Sequence, residues 1–148
     1  MLGSISSIKK AYLAGFLDAD GSIYVRAKPN LTYKYGYQIA LYIVFFQSVK
    51  DKDKFIKICG LSGVGKTRER KDGIVEFIIN KIDEVKQFLK IITPFLILKK
   101  EQAELMIKII KRKEKISSKK DFQKLLDLID GYRDLNYSKK RIKRTLTP

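Results

Sequence analysis

With 148 residues, 45% of them hydrophobic, the chain is long enough for one compact domain with a true core and too short for two roomy ones. Its 32 lysines and arginines against 16 aspartates and glutamates leave a net charge of +16 that is spread along the whole length, a field that attracts polyanions and nucleic acid first among them. No histidine is present, which excludes histidine catalysis and histidine metal sites, and the single cysteine, Cys59, excludes an intramolecular disulfide.

The longest apolar runs, such as "YIVFF" and "FLIL", are far shorter than a bilayer span, and the N-terminus lacks a basic start followed by a long apolar segment. A soluble, intracellular protein with no membrane partner is expected. Abundant Ile, Lys and Arg with few amides lean towards a thermophilic source.

Ser6 or Ser7 is placed to cap a helix through "IKKAYLAGFLDA", with Ile8, Tyr12, Leu13, Phe16 and Leu17 at helical spacing and Gly21 ending it. "SIYVRAK" then alternates, Ile23, Val25 and Ala27 against Tyr24, Arg26 and Lys28. After the turn-like "PNLTYKYG", "YQIALYIVFFQ" alternates again, with Ile39, Leu41, Ile43 and Phe45 on one face and Gln38, Ala40, Tyr42, Val44 and Phe46 on the other: a hairpin with one apolar and one mixed face.

A short helix over "SVKDKDKFIKIC" is predicted to end at Gly60. A second hairpin follows, "GKTRER" and "IVEFIIN" about "KDG", where Asp72-Gly73 signals a tight turn. Lys66, Arg68 and Arg70 share one face of it, and Val75, Phe77 and Ile79 point to the core. "IDEVKQFLKII" reads as an amphipathic helix capped by Asp83 and closed before Pro94. "KKEQAELMIKIIKRK" and "SKKDFQKLLDLIDGYRDL" give two more helices, and the tail, about 138–148, is basic without a core-forming period. The expected fold is α+β, a four-stranded antiparallel sheet of two hairpins with helices on one face, in a single domain over 1–148.

One stretch invites a different reading. "GLSGVGKT", Gly60 to Thr67, matches the G-x-x-x-x-G-K-T loop that cradles nucleotide phosphates. Such a loop must leave a buried strand and open a helix, whose N-terminal amides hold the phosphates. Here a helix precedes it and a strand, turn and strand follow, so no nucleotide cofactor is expected.

"LAGFLDADG", Leu13 to Gly21, is more informative. Ala11, Gly15 and Ala19 form a stripe of small residues at i, i+4 and i+8 that lets another helix approach closely. Beside it, Asp18 and Asp20 crowd the helix C-terminus, where the macrodipole is already negative and each carboxylate costs up to about 1 kcal/mol. A bound divalent cation would reverse that penalty; capping of the turn before Gly21 by Asp20 is the alternative.

This segment resembles the signature of the LAGLIDADG homing endonucleases. The resemblance extends over roughly residues 8–145: "KPN" and "TYK" in the first hairpin loop, "GVG" followed by Arg68 and Arg70, "PFL" followed by Lys99, Gln102-Ala103, and "LNYSK" near the end. It is closest to single-motif members encoded in ribosomal-RNA introns, with the element order αββαββα plus C-terminal helices. A second copy of the motif is absent, since "LIDGYRD" lacks the small-residue stripe.

The resemblance implies a homodimer packed through Ala11, Tyr12, Ala14, Gly15, Asp18 and Ala19, with one Asp20 per subunit at the twofold axis. It implies a sequence-specific double-strand cut in a long pseudo-palindromic DNA site, using Mg²⁺, or Mn²⁺ in its place, held by the Asp20 carboxylates and the Ala19 carbonyl. Gln47 would orient the attacking water, and Lys99 would offset charge on the phosphate unless it is only a solvated helix-start lysine. Lys52 is the candidate for the further basic residue of the family, in a register that slips by one.

Strands laid in a major groove read bases, Arg favouring guanine and Gln adenine. The residues offered to double-stranded DNA are Tyr24, Arg26, Lys28, Gln38, Tyr42, Lys66, Arg68, Arg70 and Glu76, extended by Asn30, Thr32, Tyr33 and Lys34 in the hairpin loop. Lys139, Arg141 and Lys143 suit phosphates. An RNA-binding intron maturase, with intron RNA as partner, or a regulator that binds DNA without cutting it, is the alternative on the same fold.

Overall fold

The computed structural model describes residues 5–135. The chain runs α1 (Ser7–Asp20), β1 (Gly21–Pro29), β2 (Tyr37–Ser48), α2 (Lys52–Cys59), β3 (Lys66–Glu69), β4 (Ile74–Ile79), α3 (Ile82–Ile92), α4 (Lys100–Glu114) and α5 (Lys119–Leu135), with 3₁₀ turns at Val49–Asp51, Gly60–Ser62 and Thr93–Phe95. The strands form one antiparallel sheet in the order β1-β2-β4-β3. The expected fold class and order of elements are therefore observed.

Alternation in the strands decides which face is covered. Ile23 and Val25 of β1, Leu41, Ile43 and Phe45 of β2, and Val75, Phe77 and Ile79 of β4 are buried on the helix side. They meet Leu13, Ala14 and Leu17 of α1 and the apolar faces of the other helices in one cluster. Phe45 sits at its centre, with ring centroids of Phe16, Phe88 and Phe77 at 5.4, 6.1 and 6.2 Å. Such edge and tilted contacts add about 0.5–1.5 kcal/mol each beyond area burial. Tyr132 of α5 ends in the same core, and its hydroxyl donates to the Ile23 carbonyl at 2.7 Å, which satisfies a buried phenol and pins α5 to β1. Burial pushes the Cys59 thiol up to about 12, so it stays protonated and behaves as a small hydrophobe.

Ser6 caps α1 by accepting from the Lys9 amide at 3.3 Å. At the other end Gly21 passes from helix to strand without a loop; a Cβ there would lie 2.9 Å from the Leu17 carbonyl oxygen, so only glycine allows the junction. One expectation is corrected and another sharpened. Asp83 is not the cap of α3: Lys81 holds that position and Asp83 lies in the first turn, where it favours the positive end of the macrodipole. Val44, expected on the open face, is 2% exposed. It is flanked by Ser22 and Ile78 in the register and by Tyr42 and Phe46 along its own strand, and the three large ones among these account for its burial.

Candidate functional site

The two sides of α1 differ sharply. Leu13, Ala14 and Leu17 are fully buried, while Ile8 is 83% and Tyr12 57% exposed. Ala11, Gly15 and Ala19 are exposed on that same open side, and a Cβ built at Gly15 meets nothing within 4 Å. Ala14 is therefore corrected from a partner contact to a core residue, because i, i+1 and i+4 at Leu13, Ala14 and Leu17 face the sheet. Tyr12, named for the partner contact, is exposed beside the stripe, and Ile8, one of the apolar positions at helical spacing, is exposed there too.

Asp18, also named for the dimer interface, is engaged within its own chain. Its carboxylate accepts the amides of Ile97, Leu98 and Lys99 at 2.9, 3.2 and 2.9 Å. The Lys99 ammonium donates back to the Asp18 carbonyl at 2.6 Å. This reciprocal clamp ties the end of α1 to the start of α4, which has no local side-chain cap. It also sets a cation against the negative end of the α1 dipole. Asp18→Ala is expected to lower stability by about 1–2 kcal/mol, as loss of a helix cap does, with an unchanged m-value in urea unfolding.

Asp20 is different in kind from Asp18. It is exposed, and among the described residues its carboxylate has no hydrogen bond or ion pair. It does not cap the turn, since the Gly21 amide is donated to the Leu17 carbonyl. Among the described residues no cluster of three or more Asp, Glu, Cys or His forms a metal cage. One chain offers the Asp20 carboxylate and, beside it, the Ala19 carbonyl, which at the end of α1 has no amide four residues on within the helix. These hard oxygen donors suit Mg²⁺ or Mn²⁺ and fill only part of a coordination shell.

The remaining catalytic candidates lie at the same end of the sheet. Phe45 pairs with Gly21, the residue after Asp20, and Gln47 is two residues further along β2. The Gln47 Oε1 accepts from the Ser48 amide at 2.9 Å, which leaves its amide N–H groups as the donors it can offer. Lys52 is held by Glu69 of β3 at 2.8 Å, a bond that raises the lysine above its ordinary value. Glu69 and Gln47 both pair with Val75, so Lys52 is fastened level with Gln47.

On the face away from the helices the register assembles the predicted DNA residues into rows. Tyr24 pairs with Tyr42, Arg26 with Ala40, Lys28 with Gln38, and Arg68 with Glu76, which also faces Phe46. Lys66 begins β3 on the same face. Glu76 is turned to its own neighbours rather than outward: its carboxylate lies 3.7 Å from Arg68 and 3.6 Å from Arg70, and Arg70 also meets Asp72 at 2.5 Å. Burial raises the Tyr24 phenol, with Arg26 opposing the shift.

In the hairpin loop the Asn30 side chain accepts from the Thr32 amide and hydroxyl at 3.0 and 2.6 Å, an Asx-turn that holds Thr32 and exposed Tyr33 and Lys34 outward. Lys139, Arg141 and Lys143 lie outside the described residues. Spacing alone did not single out Ile97 and Leu98, which are 83% and 73% exposed where Asp18 anchors their amides.

"GLSGVGKT" has the geometry of a connector. Gly63 and Gly65 carry φ of 70° and 87°, and a Cβ at Gly65 would lie 2.6 Å from the Phe77 ring. α2 precedes the stretch and β3 follows it. No helix N-terminus is available to hold phosphates in this loop.

A family model described as LAGLIDADG endonuclease matches residues 13–110. The chain is 36% identical over 131 residues to DNA endonuclease I-CreI of Chlamydomonas reinhardtii, covering 88% of this chain and 80% of the relative. It is 35% identical over 105 residues to DNA endonuclease I-CvuI of Chlorella vulgaris, covering 71% and 65%. The crystal structure of I-CvuI in complex with the I-CreI target, in the presence of Mg, superposes with a TM-score of 0.85 at 32% identity, over 91% of this chain and 86% of that one.

Proposed function

The chain belongs to the LAGLIDADG endonuclease family and is a site-specific DNA endonuclease of the homing type; we propose that two copies pair along α1 and cut both strands of a long pseudo-palindromic duplex with divalent metal at the pair of Asp20 carboxylates. The observation that carries this reading is the contrast within one helix turn. Asp18 is consumed by three backbone amides, and Asp20 is left exposed and, among the described residues, unpartnered at the end of an exposed small-residue stripe.

Each chain supplies half of what the chemistry needs. Asp20 and the Ala19 carbonyl hold Mg²⁺, with Mn²⁺ able to substitute, and their counterparts come from the second copy. When bound, the metal polarises a phosphoryl oxygen and lowers the pKa of a bound water. Gln47, at the same end of the sheet, donates from its amide to orient the attacking water. Lys99, held by the α1 terminus, offsets the charge that grows on the phosphate oxygens in the transition state. Lys52 adds positive charge beside Gln47 once Glu69 releases it. The sheet face with Tyr24, Arg26, Lys28, Gln38, Tyr42, Lys66, Arg68 and Arg70 lies in the major groove, with Glu76 aiming the two arginines. Asn30, Thr32, Tyr33 and Lys34 reach the outer part of each half-site.

Incubating the protein and Mg²⁺ with a randomised duplex library, then sequencing the cut ends, tests the proposal. Enrichment of one site with inverted half-sites is expected. A library cut at random, or left whole, would refute it.

A further inference from the structure

Lys28 and Tyr42 are not partners in the sheet. Lys28 pairs with Gln38 and Tyr42 with Tyr24, two rows away along the strands. The Lys28 ammonium nevertheless donates to the Tyr42 hydroxyl and lies 5.1 Å from the centroid of its ring. The row between them is Arg26–Ala40, and Ala40 presents only a methyl group where a longer side chain would block the reach. Tyr42 is itself fixed: its ring stacks on Tyr24 at 4.8 Å and 19°, and the Arg26 guanidinium lies 5.4 Å from the Tyr24 centroid.

We propose that Tyr42 is a positioning residue for Lys28, and that the pair selects a guanine in each half-site. This rests on the reading above, in which the outer sheet face enters the major groove. A lysine stem is flexible, and an ammonium alone is a point charge with little geometric preference. Anchored to the tyrosine, the ammonium keeps two N–H donors free, and the hydroxyl that accepts from it still has its own proton to give. The unit is dominated by donors. Guanine shows two acceptors, O6 and N7, on its major-groove edge, whereas adenine puts an amino donor beside its N7. Lys28 and Tyr42 also border a cleft of about 260 Å³ that Gln38, Asn80 and Lys113 help to line.

Library selection with wild type, Tyr42→Phe and Lys28→Met tests this assignment. Tyr42→Phe keeps the ring and its stack and removes only the hydroxyl. Wild type should show a guanine preference at one position of each half-site. Tyr42→Phe should reduce preference for guanine over adenine there by at least about fivefold while the profile elsewhere is retained, and Lys28→Met should abolish it. A merely structural tyrosine would weaken cleavage at all positions alike, and that result, or an unchanged profile, would overturn the proposal. If wild type itself selects no site, the underlying endonuclease reading fails as well, which separates the two failures.

Discussion

Asp20→Asn is expected to bind the selected duplex about as well as the wild-type protein in Mg²⁺ and to cut it at least roughly a thousandfold more slowly. The substitution keeps size and shape and removes one negative charge per chain, at an exposed carboxylate that has no hydrogen bond or ion pair among the described residues. Folding has nothing to lose. Easing of charge at the α1 C-terminus should instead stabilise the chain by up to about 1 kcal/mol. Several kcal/mol of transition-state stabilisation through a metal correspond to three or more powers of ten at about 1.36 kcal/mol each. Gel shift and single-turnover cleavage on the same duplex separate binding from chemistry. Equal cutting by Asp20→Asn would remove the carboxylate from the mechanism.

The second large effect is expected from Gly15→Leu. In one chain the site is open, with nothing within 4 Å of a new Cβ, and leucine is the better helix former by somewhat under 1 kcal/mol. Compared at a concentration low enough that both are monomeric, so that pairing adds nothing to wild type, the variant should therefore unfold at the same denaturant concentration as wild type or a higher one. Two such helices cannot approach across the stripe of Ala11, Gly15 and Ala19, however, and the pair should be lost. Sedimentation should give a dimer for wild type and a monomer for Gly15→Leu, with double-strand cleavage abolished. A variant that still sediments as a dimer would show that the copies meet elsewhere. Because stability and assembly move in opposite directions, misfolding cannot imitate this outcome.

Features set by local spacing were legible in the sequence. Alternation located both hairpins and their buried faces, and Asp72-Gly73 gave the second turn, where Gly73 has a φ of 82°. The order of helix and strand around Gly60 to Thr67 was enough to reject a nucleotide loop. Features that depend on distant contacts were not legible. Asp18 and Asp20 are alike in the sequence, and only residues 79 to 81 positions away distinguish them, by consuming the first and sparing the second. Spacing also could not say which side of α1 faces the sheet, so Ala14 was placed outward although it is fully buried, and Ile8 was listed among the apolar helix positions although it is exposed. The reach of Lys28 to Tyr42 crosses two rows, beyond the nearest-neighbour pairing that a strand pattern predicts.

Metal dependence on one defined duplex tests the central claim most directly. A linear DNA carrying the library-selected site, incubated with the wild-type protein in EDTA and then with Mg²⁺ restored, should remain intact in the first condition and be cut in both strands at the centre of the site in the second. Intact DNA with Mg²⁺ present, or cutting undiminished in EDTA, would contradict a metal-assisted endonuclease built on Asp20.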